Sequence, residues 1–251
     1  MRKTWRIAQM LAVQDLKLSY RRSTLGPFWL TISSAVQIAT IGIVFSTIFK
    51  SDISVYVPYL ATSLLIFTFI TGFLNESNMS FIQAEGIIRQ MHFDPSMYIG
   101  RTVIRNILGF AHNLVILPVV FLVLGTPWTI GMLMAIPGFF LVLVNLWWLG
   151  HLFALISLRF RDFPPIFGSI ITVAFYSTPV MWFSDQVPDG ESNPLISANP
   201  LFHLLSIVRS PLLGEMASEA SWVFSATMAA IGTAAVFVVY RRYQHKIAFW
   251  I

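Results

Sequence analysis

The sequence predicts an all-α polytopic membrane protein. It reads as six transmembrane helices, an N-terminal interfacial helix, and a short re-entrant or gate helix before the last span, in one domain covering residues 1–251. Three observations carry this. The chain is 56% hydrophobic and only 11% charged, where soluble domains carry about 25% charged residues, and its mean hydropathy is +0.73. Long runs contain no charge: Phe28 to Phe49 holds none, and a helix of that length rises about 33 Å, enough to cross a hydrocarbon core of roughly 30 Å. The charges also divide by side. With the N-terminus in the cytoplasm, every one of the 16 basic residues except Lys50 and Arg209 falls on the inside, while Asp52, Asp185, Asp189, Glu191, Glu215 and Glu219 fall outside. That asymmetry places both termini in the cytoplasm of a multi-pass protein of the inner membrane.

Composition also excludes function classes. The net charge of +5 is accounted for by topology, so it does not point to nucleic acid. The chain has no cysteine, which rules out a disulfide framework, thiol catalysis and cysteine-ligated metal. No metal-binding pattern and no catalytic residues stand out. The first apolar run starts too late and is too long for a cleaved signal peptide. A nucleotide loop needs Gly before Lys, and none of the lysines follows a glycine.

Taken in order, residues 1–27 precede the membrane. Ile7, Leu11 and Leu18 share a helical stripe with Arg6 and Lys17 away from it, although Trp5, Val13 and Leu16 interrupt the division. This suits a helix lying on the inner face, its basic residues drawn to anionic lipid. Gly26–Pro27 breaks that helix and restarts it. Arg21 and Arg22 mark the headgroups, and Phe28 and Trp29 sit where an aromatic belt belongs. The spans are 28–49, 57–75, 103–124, 130–158, 165–183 and 222–240. Pro137 should tilt or kink the fourth. The long inside loop from Glu76 to Arg101 centres on Gln83–Pro95, an amphipathic stretch closed by the turn signal Asp94–Pro95. A second inside turn reads Arg159–Phe160–Arg161–Asp162–Phe163–Pro164. In the outside segment 184–221, Asn199–Pro200 starts a helix with Asn as cap and Pro in the first turn. Leu201, Leu204, Leu205, Val208 and Leu212 then form one apolar face that ends near Pro211 and Gly214. This run is too short to span. Within the spans, Arg105 either snorkels to the headgroups or faces a transport path. His112, Asn113, Asn145 and His151 read as interhelical hydrogen-bond partners. Most aromatics beside the spans read as lipid-facing or belt residues.

Several of these motifs resemble one family. The run from Asp15 to Trp29, with its basic tyrosine-containing stretch, Ser23-x-Leu25-Gly26 and Trp29, is similar to the start of the membrane subunit of type-2 ABC exporters of polysaccharides, such as O-antigen, capsule and teichoic acid. Ile87, Ile88, Arg89, Phe93 and Pro95 resemble that family's coupling helix, though here Asp94 stands between Phe93 and Pro95. The Arg161–Asp162 turn resembles its second ATPase-facing loop. Asn199, Pro200, Arg209, Leu212, Leu213 and Gly214 resemble the signature of its external gate. The resemblance implies an ATPase-coupling set Ile87, Ile88, Arg89, Phe93, Arg161 and Asp162. It implies a substrate entrance and channel at Arg21, Leu25, Gly26, Phe28, Trp29 and Arg105, and an external gate at Asn199, Pro200, Leu204, Leu205 and Arg209. It further implies a homodimer, two copies of a separate cytoplasmic ABC ATPase that holds ATP and Mg, and a lipid-linked glycan as substrate. On the residues alone, an ABC-2 exporter of a small hydrophobic molecule or drug stays open. An intramembrane glycosyl- or acyltransferase fits less well, because such an enzyme groups titratable residues at one depth and the carboxylates here avoid the spans.

Overall fold

A computed structural model describes residues 2–20, 26, 28–90 and 94–250. The described residues are helical with no strand. The helices are α1 (Arg2–Tyr20), α2 (Phe28–Phe49), α3 (Ile53–Gln83), α4 (Glu85–Gln90), α5 (Ser96–Asn113), α6 (Ile116–Leu124), α7 (Ala135–Arg159), α8 (Phe163–Ser177), α9 (Pro194–Ser197), α10 (Pro200–Leu212), α11 (Glu219–Tyr243) and α12 (Ile247–Trp250). Among the described residues, five helical stretches are long and apolar enough to cross a membrane: Phe28–Phe49, Ile53–Arg89, Ser96–Leu124, Ile130–Arg159 and Glu219–Lys246. One end of the bundle carries α1, α4, the α7–α8 turn and the C-terminus, and is rich in basic residues. The opposite end carries Asp52, α9, α10 and Glu215.

Local chemistry sets the helix limits, and several differ from the sequence expectation. α2 runs over the uncharged stretch as expected, between Gly26 (φ +54°) and Lys50 (φ +53°), both left-handed. Asp52 then caps α3: the Ser54 N–H (2.8 Å) and hydroxyl (2.7 Å) both donate to its carboxylate and hold its pKa below the usual range. α3 outruns the expected 57–75, because Asn75, Glu76 and Asn78 stay helical against neighbouring helices. The third span is broken at Leu114–Val115. Pro118 is the cause, since it offers no N–H to the Leu114 carbonyl and its ring crowds that group. Pro137 does not kink the fourth span. Residues Ile130–Met134 form a tight 3₁₀ turn, and Pro137 lies in the first turn of α7, where a missing N–H leaves no bond unmade.

The fifth span is the largest departure. It was expected over 165–183, but α8 ends at Ser177 after 15 residues, too short to cross a bilayer unaided. Pro179 forces Thr178 into extended backbone (ψ 135°), and 178–183 continues as irregular chain.

α3 is the central helix. Its spanning window is 78% buried, against 17–28% for the other four, because α2, α5, α6, α7, α8 and α10 all pack on it. Small residues let the helices close up. A Cβ on Gly138 of α7 would collide with the Ile207 carbonyl of α10, and one on Gly232 of α11 would enter the Trp148 ring of α7. Asn78 and Ser157 join α3 to α7 through a buried hydrogen bond of 3.0 Å. Asn145 donates to the Ser225 carbonyl of α11 (3.1 Å) and accepts from Trp148 Nε1 (3.1 Å), the interhelical role its position suggested.

Candidate functional site

At the basic end, two arginines on α5 meet two acids from other helices. Arg101 grips the Asp15 carboxylate of α1 with Nε and Nη2, the latter at 2.6 Å. Arg105 places Nη2 at 2.7 Å from Glu76 Oε2 of α3 and Nη1 at 3.9 Å from Asp15. Asn106 donates to the same Glu76 oxygen at 2.6 Å. The one-turn spacing of Arg101 and Arg105 puts both guanidiniums on one face of α5. The 31-residue length of α3, which runs on to Gln83, keeps Glu76 inside the helix that faces them. With two cations and two anions in contact, the cluster is electrically balanced and ties α1 to the bundle. Ala8 and Ala12, both buried, let α1 approach α5 closely.

Above this cluster lies a cavity of about 620 Å³ between α2, α3 and α5. Its floor is polar, with Glu76, Arg105 and Asn106. Its walls are largely apolar, with Trp29, Leu30, Leu65, Phe69 and Phe110. Gly72 and Gly109 keep the space open. Asn113, at the rim, carries a buried Oδ1 that finds no partner among the described residues. Three residues expected at the entrance, Gly26, Trp29 and Arg105, therefore line one cavity. Phe28 stands apart, exposed, with its ring edge towards His112 (6.4 Å). Arg21 and Leu25 lie outside the described residues.

The residues expected to meet an ATPase diverge. Glu85 and Arg89 pair along α4 (2.8 Å). Ile87 is exposed, whereas Ile88 turns inward against the bundle. Phe93 lies outside the described residues. Arg161 and Asp162 are exposed in the α7–α8 turn.

At the opposite end, α10 starts and stops as its sequence dictates. Asn199 Oδ1 accepts the Leu201 N–H (3.0 Å), Pro200 takes the first helical position, and Gly214 (φ +83°) follows the last turn. The expected single apolar face is not what is seen. Phe202 through Arg209 are all buried, because α3, α7, α11 and the 130–134 turn surround the helix. Leu204 and Leu205 are 0% exposed within the chain itself. Arg209, 4% exposed, is held without a carboxylate. Its Nη1 donates to Tyr59 Oη (2.9 Å), Ser63 Oγ (3.3 Å) and the Pro179 carbonyl (2.6 Å), and its guanidinium lies over the Tyr59 ring at 4.5 Å. The Tyr59 hydroxyl also reaches the carbonyls of Pro179 and Trp182, both at 2.9 Å, and Tyr56 donates to that of Met181 (2.6 Å). Asn199 Nδ2 donates to Thr178 Oγ1 (2.8 Å). Carbonyls that 178–183 cannot bond within a helix are thus answered by α3 and α10. Sequence reasoning found Asn199 and Arg209 but missed Tyr56, Tyr59 and Thr178. The Thr178–Pro179 step was the available signal.

The described residues form a helical bundle with a lateral cavity and a balanced charge cluster at its basic end, the architecture of a membrane-embedded helical protein. The chain is a member of the ABC-2 type transporter family, whose model matches residues 8–213. Among its relatives are two proteins of Klebsiella pneumoniae, each described as an O-antigen export system permease protein RfbA. One is 27% identical over 197 residues, covering 76% of this chain and 74% of the relative. The other is 25% identical over 194 residues with the same coverage. A protein of the same description from Myxococcus xanthus is 22% identical over 197 residues, covering 78% of this chain and 76% of its own.

Proposed function

We propose that this chain is the channel-forming permease of an ATP-driven exporter that moves a lipid-linked polysaccharide, O-antigen-like, across the cytoplasmic membrane. Two copies of the chain flank the path. Two copies of a separate cytoplasmic ABC ATPase, which bind ATP and Mg, dock on the basic end through α4 and the Arg161–Asp162 turn. Both termini are cytoplasmic, α1 rests on the inner membrane face, and α8 with 178–183 makes the fifth of six crossings. The observation that carries this is the cavity between α2, α3 and α5, in a chain whose relatives are O-antigen export permeases. A charged floor beneath apolar walls suits an amphiphile with an ionic linkage and a long hydrocarbon tail. Gly26, Trp29 and Arg105, with Arg21, Leu25 and Phe28 before them, receive it. Asn199, Pro200, Leu204, Leu205 and Arg209 belong to the external gate, which acts as a unit of α10 and 178–183 because the two are bonded together.

Deleting the gene tests this. Surface polysaccharide should vanish while lipid-linked glycan accumulates on the inner leaflet, and both should be restored by the wild-type chain. Unchanged surface glycan with new sensitivity to hydrophobic compounds would instead assign the chain to small-molecule export.

A further inference from the structure

Asp94 and Ser96, at the start of α5, meet the last spanning helix. Tyr240 lies in the final turn of α11, and its hydroxyl donates to Asp94 Oδ1 at 3.0 Å and accepts the Ser96 N–H at 3.0 Å. Asp94 also accepts that N–H itself, at 2.9 Å, and so holds the start of α5 independently of Tyr240. The Tyr240 ring stands edge-on to His151 of α7 (5.3 Å), which is buried against Trp147 (4.6 Å between rings). One side chain therefore joins the start of α5, the basic end of α11 and the interior of α7.

We propose that the Tyr240 hydroxyl is the latch that carries movement of the α4 loop into α11. The proposal rests on the reading of that loop as the ATPase dock. α3 and α5 are continuous with the loop and receive its movement through the chain. α11 is 146 residues away from Asp94 in sequence and receives it through this contact. A hydrogen bond passes on a displacement only while it stays intact, and it fails steeply with added length or misalignment. Tyr240→Phe isolates the link. It leaves the ring against His151 and leaves Asp94 bonded to the Ser96 N–H, and removes only the tie between them.

The test uses the full chain co-purified with its ATPase, with a spin label on a single cysteine at Gln244, an exposed position just past α11. In the otherwise wild-type chain, trapping ATP with vanadate should change the label's spectrum. In Tyr240→Phe that change should disappear and export should fall about tenfold, within the range of typical coupling free energies, while ATPase co-purification and the melting midpoint stay as in wild type. Asp94→Asn, which keeps an accepting oxygen but removes the charge, should fall between the two. A retained nucleotide response with normal export in Tyr240→Phe overturns the latch. A lowered melting midpoint together with lost export assigns Tyr240 a structural role and also overturns it. If the wild-type chain fails to bind any ATPase, the docking reading fails, and the latch with it.

Discussion

The Tyr59–Arg209 contact offers the sharpest test of how the outer end is held. Tyr59→Phe keeps the ring beneath the guanidinium but removes a hydroxyl that accepts from Arg209 Nη1 and reaches two carbonyls. A hydrogen bond to a charged group contributes about 1.5–3 kcal/mol, and a stranded buried carbonyl costs about 1–3 kcal/mol. The Pro179 carbonyl keeps Arg209, so only that of Trp182 is stranded. Together these give about 2.5–6 kcal/mol for Tyr59→Phe. In an Arg209→Met background the charged donor is already gone and the Pro179 carbonyl has lost it too, so the single Tyr59 proton answers only one of the two carbonyls. The same hydroxyl deletion should then cost only the carbonyl part, about 1–3 kcal/mol. The coupling between the two sites is therefore about 1.5–3 kcal/mol, well outside the roughly 0.5 kcal/mol scatter of independent sites. Unfolding of the four proteins in detergent, followed by near-UV dichroism, measures it. Additive losses would mean that Arg209 does not lean on Tyr59, and the clamp between α10 and 178–183 would have to be abandoned.

The remaining predictions follow from burial. Leu204→Asn places an amide in a site with 0% exposure and should destabilise by about 3–5 kcal/mol; Leu195→Asn, at a position 76% exposed, should change melting by no more than about 0.5 kcal/mol. Ile87→Asp should weaken capture of the ATPase in pull-downs with melting unchanged, whereas Ile88→Asp, at the inward-facing position, should lower the melting midpoint as well. Because the chain has no cysteine, topology can be read by thiol labelling: Ser192→Cys should react with an impermeant reagent in intact cells, and Gln83→Cys only after permeabilisation. Labelling of Gln83→Cys from outside would invert the proposed orientation.

Much of the fold was legible, for identifiable reasons. α2 was read to its ends because it is an uncharged run between Gly26 and Lys50. The start of α10 was read because Asn199–Pro200 is a cap followed by a first-turn proline. The extent of α3 was not, because Asn75, Glu76 and Asn78 look like loop residues until Arg105, Asn106 and Ser157 are seen to answer two of them. The end of α8 was missed because Val180, Met181, Trp182 and Phe183 continue the hydropathy of a span, and hydropathy cannot tell a helix from irregular chain whose carbonyls are bonded from elsewhere. Of the candidate site, single residues such as Arg105 and Arg209 were visible, since a charge in an apolar setting stands out. Their partners were not. Tyr59 lies 150 positions from Arg209, and Asp15 lies 86 from Arg101, and nothing local to either stretch encodes such a pairing.

The central claim, ATP-driven movement of a lipid-linked glycan, is tested most directly in sealed vesicles holding the purified chain and its ATPase, with the glycan lipid loaded only in the leaflet that faces the ATPase. Addition of ATP and Mg should bring glycan to the opposite face, where an impermeant lectin detects it, and vesicles with Ile87→Asp should show none. Lectin binding that is the same with and without ATP, or transfer that proceeds equally in vesicles lacking this chain, would contradict the account.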